Sequence, residues 1–230
     1  VYINTSVCEG CGDCGVQSNC LSVVPEETDY GRKTQIHQSS CNMDYSCLKG
    51  DCPSFMTVTL GANTVPRKNQ GVATAPPTDL PEPAEKVTCE LPYKTMLIGI
   101  GGTGVVTVDA LLVTAALLEG KYALNLDQTG LSQKGGAVLS NFTISTTPVA
   151  HANKIAAGEA HLVLAFDLLA AVAPDNVRRY HPERTVAVVN TAQVSTAQVV
   201  TDVRAQFPEL MRLQSRLNPF TRQQGQANAY

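Results

Sequence analysis

The distribution of cysteine limits how this chain can fold more than any other feature of the sequence. Seven of its eight cysteines lie between residues 8 and 52, and the eighth is Cys89. They form two similar runs: Cys8-x2-Cys11-x2-Cys14-x5-Cys20, and Cys41-x2-Asp44-x2-Cys47-x4-Cys52-Pro53. The second run keeps the two-residue gaps of the first but has aspartate at its middle position. The segment is therefore an internal duplication.

This spacing is typical of bacterial ferredoxin-type iron–sulfur sites, in which the last ligand of each run binds the other cluster. The iron corners of a cubane lie close together, so three thiolates from one short loop can wrap around it. Gly10, Gly12 and Gly15 let the first loop turn with its N–H groups facing the sulfides. The predicted ligands are Cys8, Cys11, Cys14 and Cys52 for cluster I, and Cys20, Cys41, Asp44 and Cys47 for cluster II. We expect both to be [4Fe-4S] clusters.

Asp44 makes the second site different from the first. A carboxylate is a hard ligand and suits iron–sulfide chemistry less well than a thiolate does. The corner held by Asp44 should therefore be labile, and cluster II should convert readily to a [3Fe-4S] form. The alternative is that Asp44 is an ordinary exposed loop acid and that water or another ligand binds the fourth iron.

Zinc and disulfides are weaker interpretations of the cysteines. Structural zinc sites use separated pairs of ligands, so three cysteines within seven residues exceed what one zinc ion needs. Adjacent C-x2-C units pair poorly as disulfides, and a chain of 230 residues can bury a core without them. The cysteine usage therefore predicts a reducing, cytoplasmic compartment.

The chain divides at a proline-rich stretch. Residues 1–60 hold the cysteine repeat, and residues 61–92 contain six prolines and few apolar side chains. Because proline lacks the N–H that helices and strands need, we expect an extended linker there, with Cys89 as a free thiol. The remaining residues, 93–230, form the second predicted domain. Since the sequence starts without methionine and stops without a clear end, we expect a piece of a longer polypeptide, truncated at its C-terminus.

After Tyr93 the pattern alternates between strands and helices. Predicted strands are "KTMLIGI", "YALNLD", "AVLSNFTIS", "HLVLAF" and "RTVAVVN"; predicted helices are "VVTVDALLVTAALLEG", with Gly120 as C′ residue, and "DLLAAVAPDNVRRY", reaching or crossing Pro174. Such alternation predicts a mainly parallel sheet covered on both faces. The expected fold class is thus an α+β ferredoxin-like two-cluster domain joined by a Pro-rich linker to an α/β Rossmann-like domain.

A glycine pattern between the first of these strands and its helix resembles a dinucleotide fingerprint. Gly99-x-Gly101-x-x-Gly104 has the required spacing, and Asp127 ends the next strand about where a ribose-binding acid would lie. However, a second glycine-rich loop, Gly130 to Gly136, leads directly to a strand where that fold has a helix. The glycines can instead permit a tight turn and leave the helix N-terminus free for an anion.

Several other polar residues have no ligand spacing. His37, His151, His161 and His181 are scattered, and we expect them to be structural or on the surface. Lys134 could face a phosphate or carboxylate, and the favoured alternative is a solvated loop lysine. A net charge of −3 gives no basic face for nucleic acid, and no apolar run is long enough to span a membrane.

The combination of motifs resembles a known family. "CEGCGDCGVQSNC", "CNMDYSCLKGDCPSF", the proline-rich stretch, "IGIGGTGVVT" and "QTGLSQKGGAVLS" are similar to the C-terminal part of fused indolepyruvate ferredoxin oxidoreductases, within the 2-oxoacid:ferredoxin oxidoreductase family. The resemblance covers nearly the whole chain. It identifies residues 93–230 with the gamma-type domain of these enzymes.

The resemblance implies oxidative decarboxylation of an aryl pyruvate to an acyl-CoA, with electrons passed through two clusters to ferredoxin. Thiamine diphosphate and magnesium would be bound by other segments or subunits, since this chain lacks the "GDG" motif with paired asparagines. It would hold no catalytic residue, would not be complete alone, and would assemble as a homo-oligomer. The loops facing substrate or coenzyme A would be formed by Gly101, Gly102, Thr103, Gln133, Lys134, Gly135 and Gly136.

Two other functions remain open from the sequence. The first is a flavin- or NAD(P)-linked iron–sulfur reductase that uses the glycine fingerprint. The second is a non-catalytic ferredoxin-like carrier fused to an interaction domain.

Overall fold

The computed structural model describes residues 1–59, 61, 87–130 and 135–222. Most of the proline-rich stretch, residues 62–86, lies outside the described residues, so the predicted extended linker stays a prediction. No helix within the described ranges is both long and apolar enough to cross a membrane.

The cysteine-bearing residues 1–59, here called the cysteine module, contain four short strands and one helix. These elements are β1 Tyr2–Ile3, α1 Asp13–Ser18, β2 Val23–Thr28, β3 Gly31–Ile36 and β4 Phe55–Met56, with 3₁₀ segments Gln38–Ser40 and Ser46–Gly50. The β1 and β4 strands pair antiparallel, and β2 and β3 form an antiparallel hairpin. The first and last strands of the module are therefore hydrogen-bonded to each other.

The second part of the chain is built on a five-stranded sheet. Its elements are β5 Tyr93–Ile100, α2 Val105–Leu118, β6 Tyr122–Thr129, β7 Ala137–Ser145, β8 Leu162–Ala165, α3 Leu168–Ala171, α4 Pro174–Val177, β9 Val186–Val189, α5 Ala197–Thr201 and α6 Leu210–Leu217, followed by the 3₁₀ segment Asn218–Phe220. The strand order is β6-β7-β5-β8-β9. All five predicted strands and the long helix are present, so the mixed α/β character is confirmed.

The prediction of a mainly parallel sheet is wrong. Two pairings, β5 with β8 and β8 with β9, are parallel, whereas β5 with β7 and β6 with β7 are antiparallel. Only residues 130–136 connect β6 to β7, which is fewer than the dozen or more that a parallel crossover needs. Without a crossover helix, two consecutive strands can pair only in opposite directions.

Alternation along β5 gives the sheet two apolar faces. Met96 and Ile98 are fully buried in the cluster that contains α3 and α6, and Leu97 between them is buried in the cluster that contains α2. Successive side chains of a strand point to opposite faces, so a continuous apolar run is what a strand covered on both sides requires.

Glycines with positive φ begin and end the α2 helix. Gly104 is its N-cap with φ 83° and no side-chain cap, and Gly120 has φ 71° at the other end. The Gly120 N–H donates to the Leu117 carbonyl and the Lys121 N–H to the Ala116 carbonyl, which together form a Schellman motif. The predicted C′ role of Gly120 is confirmed.

The polarity of α2 is unusual for a surface helix. Its one charged residue, Asp109, is fully buried, while Leu111 and Leu118 on the outside are 65% and 84% exposed. A helix that is apolar on every side is normally buried within a larger structure. The outward face of α2 therefore has the character of a contact surface.

The predicted helix around Pro174 is two short helices. Asp167 caps α3 by accepting a hydrogen bond from the Ala170 N–H, and α4 starts at Pro174 itself. Proline suits the first position of a helix because its missing N–H has no intrahelical partner there. The α5 and α6 helices were not predicted.

The two parts of the chain meet at α5. Val200 of α5 is buried in the apolar core of the cysteine module, against side chains that include Ile3, Val23 and Ile36. The module's core is therefore completed by a residue about 165 positions away in the sequence, counted from Ile36 to Val200.

Replacing Gly120 tests the helix end. A Cβ at this position meets no heavy atom within 4 Å, so the cost of Gly120→Ala comes from its backbone conformation alone. We expect a loss of about 1 kcal/mol of unfolding free energy, measured by denaturant titration. Gly120→Asn is the matched control and should lose less, because asparagine tolerates the left-handed region. Equal losses for both variants would contradict this explanation.

Candidate metal centre

The two cysteine loops share one backbone pattern. In each loop the residues two and four positions after the first cysteine have positive φ: Gly10 at 72°, Gly12 at 78°, Met43 at 56° and Tyr45 at 59°. The residue before each last cysteine also has positive φ, Asn19 at 46° and Asp51 at 49°. The duplication in the sequence is thus a duplication in backbone geometry, and Asp44 takes the place of Cys11.

The first predicted ligand set converges in the structure. Cys8, Cys11, Cys14 and Cys52 all line one cavity of about 280 Å³, which Cys47 also borders. Burial raises the pKa of Cys14 to about 11, and the neighbouring thiols of Cys8, Cys11 and Cys52 add to the rise. Four thiols thus face one space and interact with one another.

Backbone N–H groups also point at these sulfurs. The Gly10 N–H donates to Cys8 Sγ over 3.4 Å, and a hydrogen bond from the Gly15 backbone partly offsets the rise in the pKa of Cys14. Such donors favour the thiolate form that binds iron. A cavity needs only about 10–15 Å³ to hold a water molecule, so this volume is ample for an eight-atom cluster. The donor set and the space both fit a cubane.

The second predicted set also converges, but in a smaller space. Cys20, Cys41, Asp44 and Cys47 line a cavity of about 10 Å³. Burial raises the pKa of Cys47, and the nearby Cys20, Cys41 and Asp44 raise it further. This volume is that of about one water molecule. The donors therefore fit a cluster, whereas the space is smaller than a cluster needs; the exposed residues Met43 and Tyr45 also line it.

The Asp44 side chain is exposed and is hydrogen-bonded within its own loop. Its Oδ1 accepts hydrogen bonds from the Ser46 N–H at 3.1 Å and from Ser46 Oγ at 2.9 Å. These contacts hold the carboxylate within its own loop, at the sequence position that corresponds to Cys11, which is also exposed. Ligation of iron by Asp44 stays a prediction.

The arrangement of these side chains differs from that of a site for a single metal ion. Among the described residues, no group of three or more His, Cys, Asp or Glu side chains is arranged to hold one metal ion. The four thiolates of a cubane bind four different irons, so they stand farther apart than the ligands of one zinc ion.

The glycine loops are hydrogen-bonded to each other. The Gly101 N–H donates to the Gly136 carbonyl at 2.8 Å, and the Gly135 N–H donates to the Gly101 carbonyl at 3.5 Å. The Thr103 hydroxyl donates to the Ile100 carbonyl at 2.7 Å, within its own turn. The structure therefore joins the two predicted loops. Gln133 and Lys134 lie outside the described residues.

A cavity of about 1060 Å³ lies between these loops and the cysteine module, which also touch directly where Gly135 packs on the Leu21 side chain. Gly101, Gly102, Thr103 and Gly135 line one side of it, and Cys41 of the second ligand set borders it from the module. Sequence reasoning missed the third wall, which residues 193–195 and 205–207 provide. No local pattern marks that wall, because only the tertiary fold brings it to the glycine loops.

The geometry argues against a dinucleotide site of Rossmann type. Asp127 lies on β6, and β7 separates β6 from β5, whose C-terminal end carries the glycine fingerprint. Two strand spacings amount to roughly 10 Å, whereas the fingerprint places its acid on the neighbouring strand. The Asp127 carboxylate instead accepts a hydrogen bond from Ser140.

Asp127 also lies beside the buried Asp109. Burial raises the pKa of Asp109, a hydrogen bond from Asn125 lowers it, and the neighbouring charge of Asp127 raises it again. The hydrogen bond that Asn125 donates to Asp109 at 2.8 Å joins α2 to the β6 strand at the edge of the sheet.

Two further residues, for which the sequence predicted no ligand role, are His161 and Cys89. His161 stacks on Tyr93 with ring centroids 5.0 Å apart and accepts a hydrogen bond from the Lys94 N–H, and burial lowers its pKa. Its place in the packing agrees with the structural role expected for it. Cys89 is buried, and the free thiol expected there stays a prediction.

Comparison with known proteins identifies the second part of the chain. Residues 94–228 match the family model described as pyruvate ferredoxin/flavodoxin oxidoreductase. The match covers more than half of the 230 residues, so the chain belongs to this family. The family predicted from the motifs is confirmed, and the cysteine module precedes the matched region.

A curated relative and two solved structures are similar over shorter stretches. The chain is 31% identical over 80 residues to indolepyruvate oxidoreductase subunit IorB of Methanothermobacter thermautotrophicus, which covers 35% of this chain and 39% of the relative. The pyruvate oxidoreductase subunit PORC of Thermotoga maritima is 20% identical, with 44% of this chain and 51% of that chain covered and a TM-score of 0.36. The keto/oxoacid ferredoxin oxidoreductase gamma subunit of Geobacter sulfurreducens is 23% identical, with 43% and 51% covered and a TM-score of 0.33.

Thiol reactivity tests the environment of the first ligand set. In the metal-free chain at pH 8, iodoacetamide should alkylate Cys14 about tenfold or more slowly than the exposed Cys11, because a pKa of about 11 leaves little thiolate. The rate at Cys14 should rise with pH up to about 11. Peptide mass spectrometry over time measures both sites, and a Cys14 rate that is flat above pH 9 would contradict the raised pKa.

Proposed function

We propose that this chain is the electron-transfer and accessory part of a thiamine-diphosphate-dependent 2-oxoacid:ferredoxin oxidoreductase that acts on indolepyruvate or another aryl pyruvate. The observation that carries the proposal is the convergence of seven cysteines and Asp44 into two four-residue sets, in a chain whose second part belongs to the pyruvate ferredoxin/flavodoxin oxidoreductase family. The similarity to an indolepyruvate oxidoreductase subunit supports the substrate class.

The overall reaction converts a 2-oxoacid and coenzyme A to an acyl-CoA and carbon dioxide, and two electrons pass singly to ferredoxin. Thiamine diphosphate, bound with magnesium by other segments or subunits, supplies the decarboxylation chemistry, and iron–sulfur clusters carry the electrons. This chain contributes no catalytic residue to bond cleavage. Its part is to hold the clusters and to form one side of the enzyme's interior.

Eight side chains of the cysteine module would hold two [4Fe-4S] clusters. Cys8, Cys11, Cys14 and Cys52 are the proposed ligands of cluster I, and Cys20, Cys41, Asp44 and Cys47 those of cluster II. Burial of the thiols means that loading releases protons as each thiolate forms. We assign residues 1–60 to this module, residues 61–92 to a linker and residues 93–230 to the gamma-type domain.

The large cavity is the proposed face toward substrate or coenzyme A. Gly101, Gly102, Thr103 and Gly135 line it, and Gly136 is bonded to this loop. We include Gln133 and Lys134 in the same surface because they lie between the glycines in the sequence. The α2 N-terminus has no side-chain cap, so its N–H groups remain open to an anionic group.

The apolar outer face of α2 supports assembly with the remaining enzyme segments or with another copy. Leu111 and Leu118 are largely exposed, and the helix has no charge on its outside. Exposed contiguous apolar surface of this kind typically marks a protein contact. The proposed partners are the thiamine-diphosphate-binding segments, with ferredoxin as the external electron acceptor.

Iron analysis and electron paramagnetic resonance test the clusters. Anaerobically prepared chain should be brown and contain acid-labile sulfide, and mild oxidation should release about one iron per chain with a [3Fe-4S] signal. Asp44→Cys should retain that iron, because a thiolate binds the corner more firmly than a carboxylate.

Asp51→Asn is the matched control, since it removes another acid of the same module and asparagine tolerates the positive φ. It should behave as the unmodified chain. Colourless protein without sulfide would overturn the proposed function, and iron loss unchanged in Asp44→Cys would overturn ligation by Asp44. Bound flavin would instead favour a flavin-linked reductase.

Charge on α2 tests the proposed assembly surface. Leu118→Glu should leave the isolated chain folded, because the side chain is 84% exposed, and should weaken association with the remaining enzyme segments by about tenfold or more. Met211→Glu on α6 is the control, at 79% exposure on a helix packed against the other face of the sheet. Analytical ultracentrifugation measures both, and equal association of the two variants would rule out this face.

A further inference from the structure

Arg32 connects the cysteine module to the C-terminal part of the chain. Its Nη1 donates hydrogen bonds to the carbonyls of Val203 at 2.8 Å and Ala205 at 2.6 Å, and its Nη2 donates to the carbonyl of Val199. A guanidinium is planar, always charged and presents several fixed donors. One side chain of the β3 strand thus binds three carbonyls in and just after α5.

The same residue also contacts the loop that carries the first cysteines. A Cβ on Gly10 would lie 2.2 Å from the Arg32 carbonyl oxygen, so the two backbones are in direct contact. The neighbouring Lys33 donates a hydrogen bond from Nζ to the Cys8 carbonyl. Arg32 therefore lies between the first cysteine loop and α5 and touches both.

Two glycines bring this loop against the same segment. A Cβ on Gly12 would lie 2.4 Å from Cγ1 of Val203, and a Cβ on Gly15 would lie 2.3 Å from the Val200 carbonyl oxygen. Neither contact leaves room for a larger residue. The segment from Val199 to Ala205, here called the docking segment, is therefore held by close backbone packing and by the Arg32 guanidinium together.

We infer that Arg32 is a positioning residue that fixes the cysteine module on the docking segment, so that the module is a stationary relay and not a carrier that swings between partners. Its side chain also borders the large cavity, together with Cys41 and the glycine loop. The module that Arg32 fixes therefore carries one wall of this cavity, and the packing of Gly135 on Leu21 is a second contact between the module and the glycine loop. The relay half of this inference rests on the proposed function.

Hydrogen exchange tests the clamp without reference to clusters. In the full anaerobic chain, Arg32→Ala should speed amide exchange across the docking segment and in residues 10–15 by about tenfold or more, as loss of charge-assisted hydrogen bonds predicts. The exchange rates of Arg32→Lys should lie between those of the unmodified chain and of Arg32→Ala, because lysine keeps the charge but lacks the planar guanidinium with its several fixed donors. Arg178→Ala is the control, since the Arg178 side chain is exposed and pairs with Asp175 on the surface, at 3.6 Å.

Two results would overturn the clamp. One is unchanged protection of the docking segment in Arg32→Ala. If Arg32→Ala fails to fold, Arg32→Lys decides the test. Protection of the docking segment in Arg32→Lys equal to that in the unmodified chain would then overturn the clamp. Millimolar ethylguanidinium should restore protection in Arg32→Ala, whereas ethylammonium, a cation without the fork, should not.

Single-turnover reduction tests the relay. In the complete enzyme, the rate at which a 2-oxoacid bleaches the cluster absorbance should fall about tenfold in Arg32→Ala, because small misplacements of reacting groups cost large factors. Iron, sulfide and cluster midpoint potentials should stay as in the unmodified enzyme, and ethylguanidinium should restore the rate. An unchanged rate with intact clusters would overturn the positioning role. Absence of clusters would overturn the proposed function, while the exchange result would still decide the clamp.

Discussion

The docking of the first cysteine loop on α5 is the contact on which the arrangement of this molecule depends. It combines three hydrogen bonds from the Arg32 guanidinium on the adjacent β3 strand with two close approaches of the loop, Gly15 to the Val200 carbonyl and Gly12 to the Val203 side chain. Hydrogen bonds that involve a charged group are stronger than neutral ones, and their net value rises when water is excluded. Val200 adds apolar burial at the same place. Part of the core of the small cysteine module thus comes from the neighbouring domain.

The second cysteine loop has the backbone conformation of the first, although its residues favour that conformation less. Met43 and Tyr45 take up the left-handed conformations that Gly10 and Gly12 supply in the first loop. For bulky residues this conformation costs of order 1–3 kcal/mol each, and it persists only where the surroundings impose it. The loop shape is therefore conserved between the two halves of the module although the residues that favour it are not. That contrast supports a shared role for both loops, with Asp44 at the one position where their chemistry differs.

The second domain combines a buried charge with an apolar exterior. Asp109 faces the sheet edge beside Asn125 and Asp127, whereas the outer side of α2 presents leucine. An isolated globular domain would be more stable with the opposite arrangement, because burying a leucine is favourable whereas burying an acid costs free energy. Exposed apolar surface of this kind is typical of a protein contact. The mixed sheet supports this helix on one face and α3 and α6 on the other.

Local patterns in the sequence determined much of this protein. The alternating and apolar runs defined β5, β6 and β7 nearly to the residue, Gly120 marked the end of α2, and the cysteine spacing separated two sets of four candidate ligands. These features depend on neighbours within a few positions, where side-chain period and backbone preference act directly. The tertiary structure alone decided the order of the strands, the place of Asp127 two strands from the glycine fingerprint, the cavity wall formed by residues 193–207, and the contact of Arg32 with α5. Each of these joins residues far apart in the chain, and such contacts follow from packing and close approach in three dimensions, for which a linear sequence carries no local signal.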